Sequence, residues 1–197
     1  MSEPSSRRPH GTVHSLPASL PPVALPGLRI ELLGTFRVVV NGRVVADEAW
    51  RLRKARALVK LLALAPGHRL EREQLFEVLW PDLAPAAAAN NLSNALHVAR
   101  RALAGEGSPP PLPGQGTALA LVAAVPLWID AVAFEAAAAT ALRTGNLADY
   151  QAALDLYGGE LLPEDRYEDW AVLPREQLRQ IHLTILRDVA TWHEARG

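Results

Sequence analysis

The stretch from residue 85 to residue 103 carries the most specific chemical pattern in the sequence. An alanine-rich beginning is followed by a run of side chains that donate or accept hydrogen bonds: Asn90, Asn91, Ser93, Asn94, His97, Arg100 and Arg101. Asn can pair bidentately with adenine, Arg can pair with guanine or contact phosphate, and Ser and His are adaptable partners. These residue types point to nucleic-acid recognition.

Helical spacing separates this stretch into two faces. The apolar residues at positions 92, 96, 99 and 103 share one side, as expected for a helix packed on a core. The opposite side carries the polar residues, whereas a merely solvated face usually carries Glu and Lys. We therefore predict a recognition helix whose base-reading residues are Asn90, Asn91, Ser93, Asn94 and His97. The alternative is a polar surface that binds nothing.

The elements before this helix form a small sheet and two further helices. Residues 28–45 read as short strands, and Asn41-Gly42 is a strong signal for a two-residue hairpin turn. Helical periodicity starts at Leu52 and stops at Pro66-Gly67, and a second helix covers residues 71–80. Pro85 suits the first turn of the third helix.

The segment after the third helix completes the predicted domain. Residues 105–116 are rich in turn-forming residues, and residues 117–130 are predicted to make a hairpin of two short strands. Strands, three helices and a hairpin are the layout of a winged helix-turn-helix, which we place at residues 27–129.

Basic residues cluster at the first helix and at the end of the third. Arg51, Arg53, Lys54, Arg56 and Lys60 lie at and along the first helix. Basic side chains beside a reading helix supply salt-dependent affinity without reading sequence. The predicted phosphate-binding residues are Arg51, Arg53, Lys54, Lys60, Arg100 and Arg101. A basic face that only keeps the protein in solution is the alternative.

The two halves of the chain differ in charge. Residues 1–104 contain 14 Lys or Arg against 8 Asp or Glu, whereas residues 105–197 contain 6 against 13. The first half is suited to meet a polyanion, and the second half would repel one.

Residues 130–197 are predicted to be helical, and residues 1–26 to be a disordered tail rich in Pro and Ser. Asp130 and Gly145 bound one helix, Asn146 begins the next, and a long amphipathic helix covers about 168–193. The predicted fold class is mainly α with small β-sheets (α+β), a winged helix-turn-helix followed by a short tetratricopeptide-like helical region.

Several function classes are disfavoured by the sequence. It has no Cys, no long apolar run and no signal-peptide core, so we predict a cytoplasmic protein that does not enter membranes. It lacks the common nucleotide, hydrolase and zinc motifs, so we expect no enzyme activity, no cofactor and no metal. His182 and His193 are expected to face solvent, and the acidic run 163–169 to be a charged turn rather than a cation site.

Residues 28–45 and 51–103 resemble the winged helix of the Streptomyces antibiotic regulatory proteins. The shared features are a Leu-Gly strand, a Lys-x-Arg first helix (Lys54 and Arg56), and a Leu-Trp-Pro helix end at Leu79, Trp80 and Pro81. Residues 128–135 and 153–178 are similar to the bacterial transcriptional activator domain that follows in that family. Together these stretches cover roughly residues 28–197.

The resemblance implies a transcriptional activator that binds double-stranded DNA and contacts RNA polymerase through the loop from Pro81 to Pro85. Residues 130–197 would then be a truncated activator domain. The chain departs from the family in its wing, where the sequence GTALALV has neither an aromatic residue nor an Arg.

Two alternatives remain open from the sequence. The winged helix could have lost DNA binding and serve as a protein-interaction scaffold, which the uncharged wing and acidic second half favour. The last helix carries more apolar residues than one helical hairpin covers. It is expected either to pair with a second copy or another protein, giving a homodimer in the first case, or to fold back on the winged helix.

Overall fold

A computed structural model describes residues 27–104, 111–113, 116–121 and 126–196. The predicted disordered tail, most of the turn-rich loop after the third helix, and residues 122–125 of the predicted wing lie outside these ranges. The helices and strands that position the predicted recognition helix all lie inside them.

A four-stranded sheet begins the domain. It contains β1 (Leu28–Glu31), β2 (Arg37–Val40), β3 (Arg43–Val44) and β6 (Leu127–Ile129) in the spatial order β3-β2-β1-β6. Asn41 and Gly42 join β2 to β3 with φ angles of 48° and 79°. Positive φ at both central residues is the requirement of the turn that Asn-Gly indicates, so the predicted hairpin is confirmed.

Three helices follow the first strands. They are α1 (Arg53–Leu64), α2 (Arg72–Leu79) and α3 (Pro85–Leu103). The side chains of Glu71 and Gln74 form a reciprocal capping box that fixes the start of α2. Pro85 occupies the first turn of α3, as predicted.

The predicted hairpin of residues 117–130 is wrong in its pairing. Its first strand, β5 (Ala118–Ala120), pairs antiparallel with β4 (Arg69–Glu71), which lies between α1 and α2. Its second strand, β6, pairs in parallel with β1. The two strands therefore belong to different sheets, because each finds its partner far away in sequence rather than in its neighbour.

The second half of the described chain is helical. It consists of α4 (Asp130–Thr144), α5 (Leu147–Leu156) and α6 (Asp169–Glu194). Gly145 ends α4 in the left-handed conformation, and the Asn146 side chain accepts hydrogen bonds from the first backbone amides of α5. Helix α6 packs against α4 and α5, so it folds back mainly on its own helical hairpin and not on the winged helix.

The winged helix and the helical region share one continuous apolar core. The carboxylate of Asp130, at the start of α4, accepts hydrogen bonds at 2.7–2.9 Å from the backbone N–H groups of Leu32, Leu33 and Ala131. The backbone N–H of Leu162 donates to the carbonyl of Leu32 at 2.9 Å. The chain is thus mainly α with small β-sheets, a winged helix-turn-helix continuous with a helical region, which confirms the predicted fold class.

The segment after β1 also meets the helical region at very short range. A Cβ atom placed on Gly34 would lie 2.6 Å from the carbonyl oxygen of Gly158, and Gly34 has a φ of 81°. Only glycine tolerates both conditions.

None of the helices in the described ranges has the length and apolarity needed to cross a bilayer.

Candidate nucleic-acid interface

Helix α3 is held in place by its apolar face. That face packs on α1 and α2, and its buried residues recur at helical spacing: Ala88, Leu92, Ala95, Leu96, Ala99, Ala102 and Leu103. The face was predicted from periodicity, and its burial fixes which side of α3 points outward.

The outward side of α3 presents a stripe of polar side chains. Asn90, Asn94, His97 and Arg101 follow one another at intervals of three or four residues, and all four are exposed. Within the described residues none of these four side chains forms a hydrogen bond or an ion pair to another protein group. Their donors and acceptors are therefore available to a ligand, and we call this set the polar stripe.

Asn91 and Ser93 are bonded within the helix itself. The amide nitrogen of Asn91 donates to the carbonyl of Ala87 at 3.1 Å, and the hydroxyl of Ser93 donates to the carbonyl of Ala89 at 2.9 Å. Asn91 is also half-buried, whereas Ser93 is exposed. Both flank the polar stripe, but a base would have to compete with these internal bonds.

Arg51 and Arg101 line one shallow cleft beside the polar stripe. The cleft has a volume of about 280 Å³ and is also lined by Glu48 and Val98. Both arginines are exposed, and neither forms an ion pair in the portion of the chain that is described. The structure thus brings together two predicted phosphate-binding residues that are fifty positions apart in sequence.

Arg100 is largely committed to the fold. It is half-buried, and its Nε donates to the carbonyl of Leu112 at 2.8 Å. Arg43, in the β2–β3 hairpin, donates to the carbonyl of Ala104 at the end of α3. Arg43 is not among the predicted phosphate-binding residues, because nothing local in sequence shows that this hairpin lies at the end of α3.

The remaining predicted cations lie at the start of α1. The Arg53 side chain is 94% exposed and stands 3.9 Å from a carboxylate oxygen of Glu168. Lys54 is half-buried. These residues can contact phosphate, although the acidic neighbour of Arg53 lowers its attraction for an anion.

The prediction that Lys60 contacts phosphate is wrong. Its side chain is only 2% exposed, and its ammonium group forms ion pairs with Glu164, at 3.2 Å, and with Asp165. The same group lies 4.7 Å from the centre of the Phe36 ring. The carboxylates come from a short turn (Pro163–Asp165) more than a hundred residues later, so the acidic run serves to neutralise a buried lysine.

Arg175 of α6 fixes that acidic turn. Its guanidinium donates to the backbone carbonyls of Leu161, Leu162 and Asp165 at 2.9–3.2 Å. Leu162 holds a left-handed backbone conformation with φ of 46°, which is unusual for a residue with a side chain. We call Lys60, Glu164, Asp165 and Arg175 the ionic junction.

The expectation that His182 faces solvent is also wrong. Its ring stacks on Tyr157 with centroids 3.9 Å apart, and its Nδ1 is buried without a partner among the described residues. Burial lowers the pKa of His182.

Burial raises the pKa of the Asp130 carboxyl group, because it disfavours the charged form. The three backbone N–H groups that donate to this carboxylate lower its pKa. Across the described ranges no group of three potential metal-ligating side chains comes together.

The fold is similar to that of a known protein structure. No family model and no curated protein matches the chain. A solved structure of Mycobacterium tuberculosis EmbR, in complex with a low-affinity phosphopeptide, has a similar fold with a TM-score of 0.56 and 20% sequence identity. The match covers 87% of this chain and 45% of that one, so this chain spans less than half the length of that structure. The likeness supports the fold that the resemblance implied.

Proposed function

We propose that this protein is a sequence-specific regulator of transcription that binds double-stranded DNA and places α3 in the major groove. The observation that carries the proposal is the polar stripe, four unengaged side chains of the types that pair with bases and phosphates. A major groove about 12 Å wide admits one α-helix, and the 19 residues of α3 span about 28 Å.

The order of the helices supports this proposal, because the polar stripe lies on the second helix of a helix-turn-helix pair. In such motifs the first helix of the pair crosses the DNA backbone and the second reads base edges. Here α2 and α3 form that pair. The stripe would contact bases through Asn90, Asn94 and His97, with Ser93 and Asn91 at its margins.

Phosphate contact would come from Arg51 and Arg101 in their common cleft, with Arg53 and Lys54 at the start of α1. Lys60 does not belong to this set, and Arg100 contributes only the part of its guanidinium that Leu112 leaves unbonded. Affinity should therefore rest on about four phosphate contacts.

The test is a titration of a labelled random DNA duplex followed by fluorescence anisotropy across a salt series. Four neutralised phosphates predict that the logarithm of the binding constant falls with the logarithm of salt concentration with a slope of about −3 to −4. The double variant Arg51→Ala, Arg101→Ala should reduce the slope by about two. Arg143→Ala, an exposed arginine of α4, is the matched control and should leave the slope unchanged. A duplex that does not bind at low salt would contradict the proposal.

The activator role would require a contact with RNA polymerase, and the turn between α2 and α3 is the surface we propose for it. Leu83 in this turn is 41% exposed. The variant Leu83→Ala should keep DNA affinity and lose activation in transcription reconstituted with purified polymerase. Unchanged activation by a variant that still binds DNA would place the contact elsewhere.

A second candidate function is a protein-interaction scaffold that no longer binds DNA. It is favoured by the loss of Lys60 and part of Arg100 from the phosphate-binding set, and by the acidic helical region. The salt titration separates the two functions, because a scaffold has no affinity for a duplex at any salt concentration. Neither function involves catalysis, and our proposal includes no enzyme activity.

We also propose that α6 forms a homodimer contact. Leu183 and Leu186 of this helix remain 44% and 43% exposed although α6 packs on α4 and α5. Light scattering at high protein concentration should give twice the monomer mass, and Leu183→Asp should restore the monomer. A monomer at all concentrations would remove the homodimer from the proposal and leave DNA binding unaffected.

A further inference from the structure

We infer that the polar stripe selects A·T base pairs, with Asn90 and Asn94 each pairing with an adenine and Ala86 contacting a thymine methyl group. This inference rests on the proposed function and specifies the class of DNA site that α3 would bind. It follows from which side chains on α3 are free, how they are spaced, and which residue types are missing.

The asparagines of α3 fall into two kinds. Asn91 uses its amide nitrogen to bond Ala87 in the preceding turn. Asn90 and Asn94 are exposed and form no hydrogen bond within the described ranges, so both the oxygen and the nitrogen of each amide are free. A free amide has the donor and acceptor needed to pair with N7 and the exocyclic amino group of adenine at once.

The spacing of the two free amides matches that of base pairs. Residues four apart on a helix lie on one face, separated by about 6 Å along the axis. Successive bases along one strand are about 3.4 Å apart. Two adenines would therefore be read at positions about two base pairs apart.

Residues that would read guanine are missing from the part of α3 that carries Asn90 and Asn94. Arg and Lys make the commonest specific contact with guanine, and none occurs between residues 85 and 99. The first arginine of α3, Arg100, bonds the carbonyl of Leu112. The second, Arg101, lines the cleft with Arg51 near the end of the helix, where it is placed to meet a phosphate.

The first turn of α3 supplies an apolar contact. Ala86 and Ala87 are exposed, and Ala86 lies one helical turn before Asn90 on the same face of α3. Alanine side chains contact the C5-methyl group of thymine, which distinguishes thymine in the major groove. Ala86, Asn90 and Asn94 thus form a continuous surface suited to thymine and adenine.

The experiment starts with selection of bound duplexes from a random pool by the full chain. We expect A·T pairs to be enriched at two positions about two base pairs apart. In the selected duplex, each adenine is then replaced by 7-deazaadenine, which lacks the N7 acceptor, and each thymine by uracil, which lacks the methyl group. A 7-deazaadenine at either reading position should weaken binding about tenfold.

Variants assign each contact. Asn90→Ala and Asn94→Ala should each abolish the discrimination between adenine and 7-deazaadenine at one position while leaving the salt slope unchanged. Arg143→Ala, the control of the salt titration, lies outside the proposed interface and should retain both discriminations. Ala86→Gly should abolish the preference for thymine over uracil one turn away.

The outcomes separate this inference from the proposed function. Selection of G·C pairs at the reading positions, or equal binding of adenine and 7-deazaadenine, would overturn the A·T inference while DNA binding stands. Failure to recover any bound duplex would overturn both, and unchanged discrimination in both asparagine variants would overturn the assignment to Asn90 and Asn94.

Discussion

The polar stripe on α3 and the ionic junction both consist of polar or charged side chains, but their environments are opposite. The stripe side chains are exposed and unengaged among the described residues, whereas Lys60 is buried against two carboxylates that Arg175 holds in place. Polar groups in the first environment cost the fold little and remain available to a ligand. In the second environment every group must be paired, because an unpaired buried charge is strongly destabilising. Burial therefore separates residues that bind from residues that hold the fold.

The largest effect is expected at the junction. Lys60→Met should lower the free energy of unfolding by about 3 kcal/mol, because it leaves the carboxylates of Glu164 and Asp165 without their cation. Urea denaturation followed by circular dichroism measures the change. Lys54→Met, on the same helix and outside the junction, should change stability by less than about 0.5 kcal/mol. Equal effects of the two substitutions would show that Lys60 is solvated.

A smaller loss is expected at the start of α4. Asp130→Asn keeps the size of the side chain but replaces one acceptor oxygen by an N–H₂ group that faces backbone N–H donors, which should cost about 2 kcal/mol. Asp155→Asn, an exposed position on α5, is the control and should be nearly neutral in the same urea titration. An unchanged free energy of unfolding for Asp130→Asn would mean that the hydrogen bonds to Leu32 and Leu33 do not stabilise the contact between the winged helix and the helical region.

The pH dependence of stability should report the burial of His182. Because burial lowers its pKa in the folded state, the unfolded state binds more protons below the ordinary value of 6.5. The free energy of unfolding should therefore fall as the pH drops below about 6.5. His182→Phe, which keeps an aromatic ring on Tyr157, should remove this fall, whereas His193→Phe at an exposed position should retain it. A fall of the same size in both variants would assign it to other groups.

The smallest effect on stability is expected at the polar stripe, and it has the opposite sign. Asn90→Ala and Asn94→Ala should each raise the free energy of unfolding by about 0.5 kcal/mol, since Ala favours an exposed helix more than Asn does. If both variants also lose DNA affinity, the two asparagines are needed for binding although they lower the stability of the fold. Destabilisation by either variant would show that its amide supports the fold.

Features specified by local sequence were predictable. The Asn41-Gly42 turn, the bounds of α1 and α3, and the buried face of α3 follow from turn chemistry and from periodicity over adjacent residues. The polar stripe could be identified for the same reason, since it is the complement of that buried face.

Features specified by distant partners were not predictable. Lys60 looks like its exposed neighbours until Glu164 and Asp165 are known to fold onto it. The His182 ring is covered by Tyr157, which directly follows α5, and β6 pairs with β1 although β5 is nearer in sequence. The bond of Arg100 likewise depends on a loop beyond α3. The bond of Asn91 is local, but it depends on a side-chain rotamer that the sequence does not specify. Local patterns therefore located the candidate site but could not tell its free side chains from its engaged ones.

Ile129 ends β6 and Asp130 begins α4 with no residue between them, so the chain passes from the sheet into the helical region without a hinge. A partner held by the helical region of a DNA-bound protein would then stand at a fixed angle around the DNA axis. Its effect on a promoter should follow the helical phase of the binding site. Moving the site by about 5 base pairs, half a turn, should abolish the effect, and moving it by about 10 should restore it.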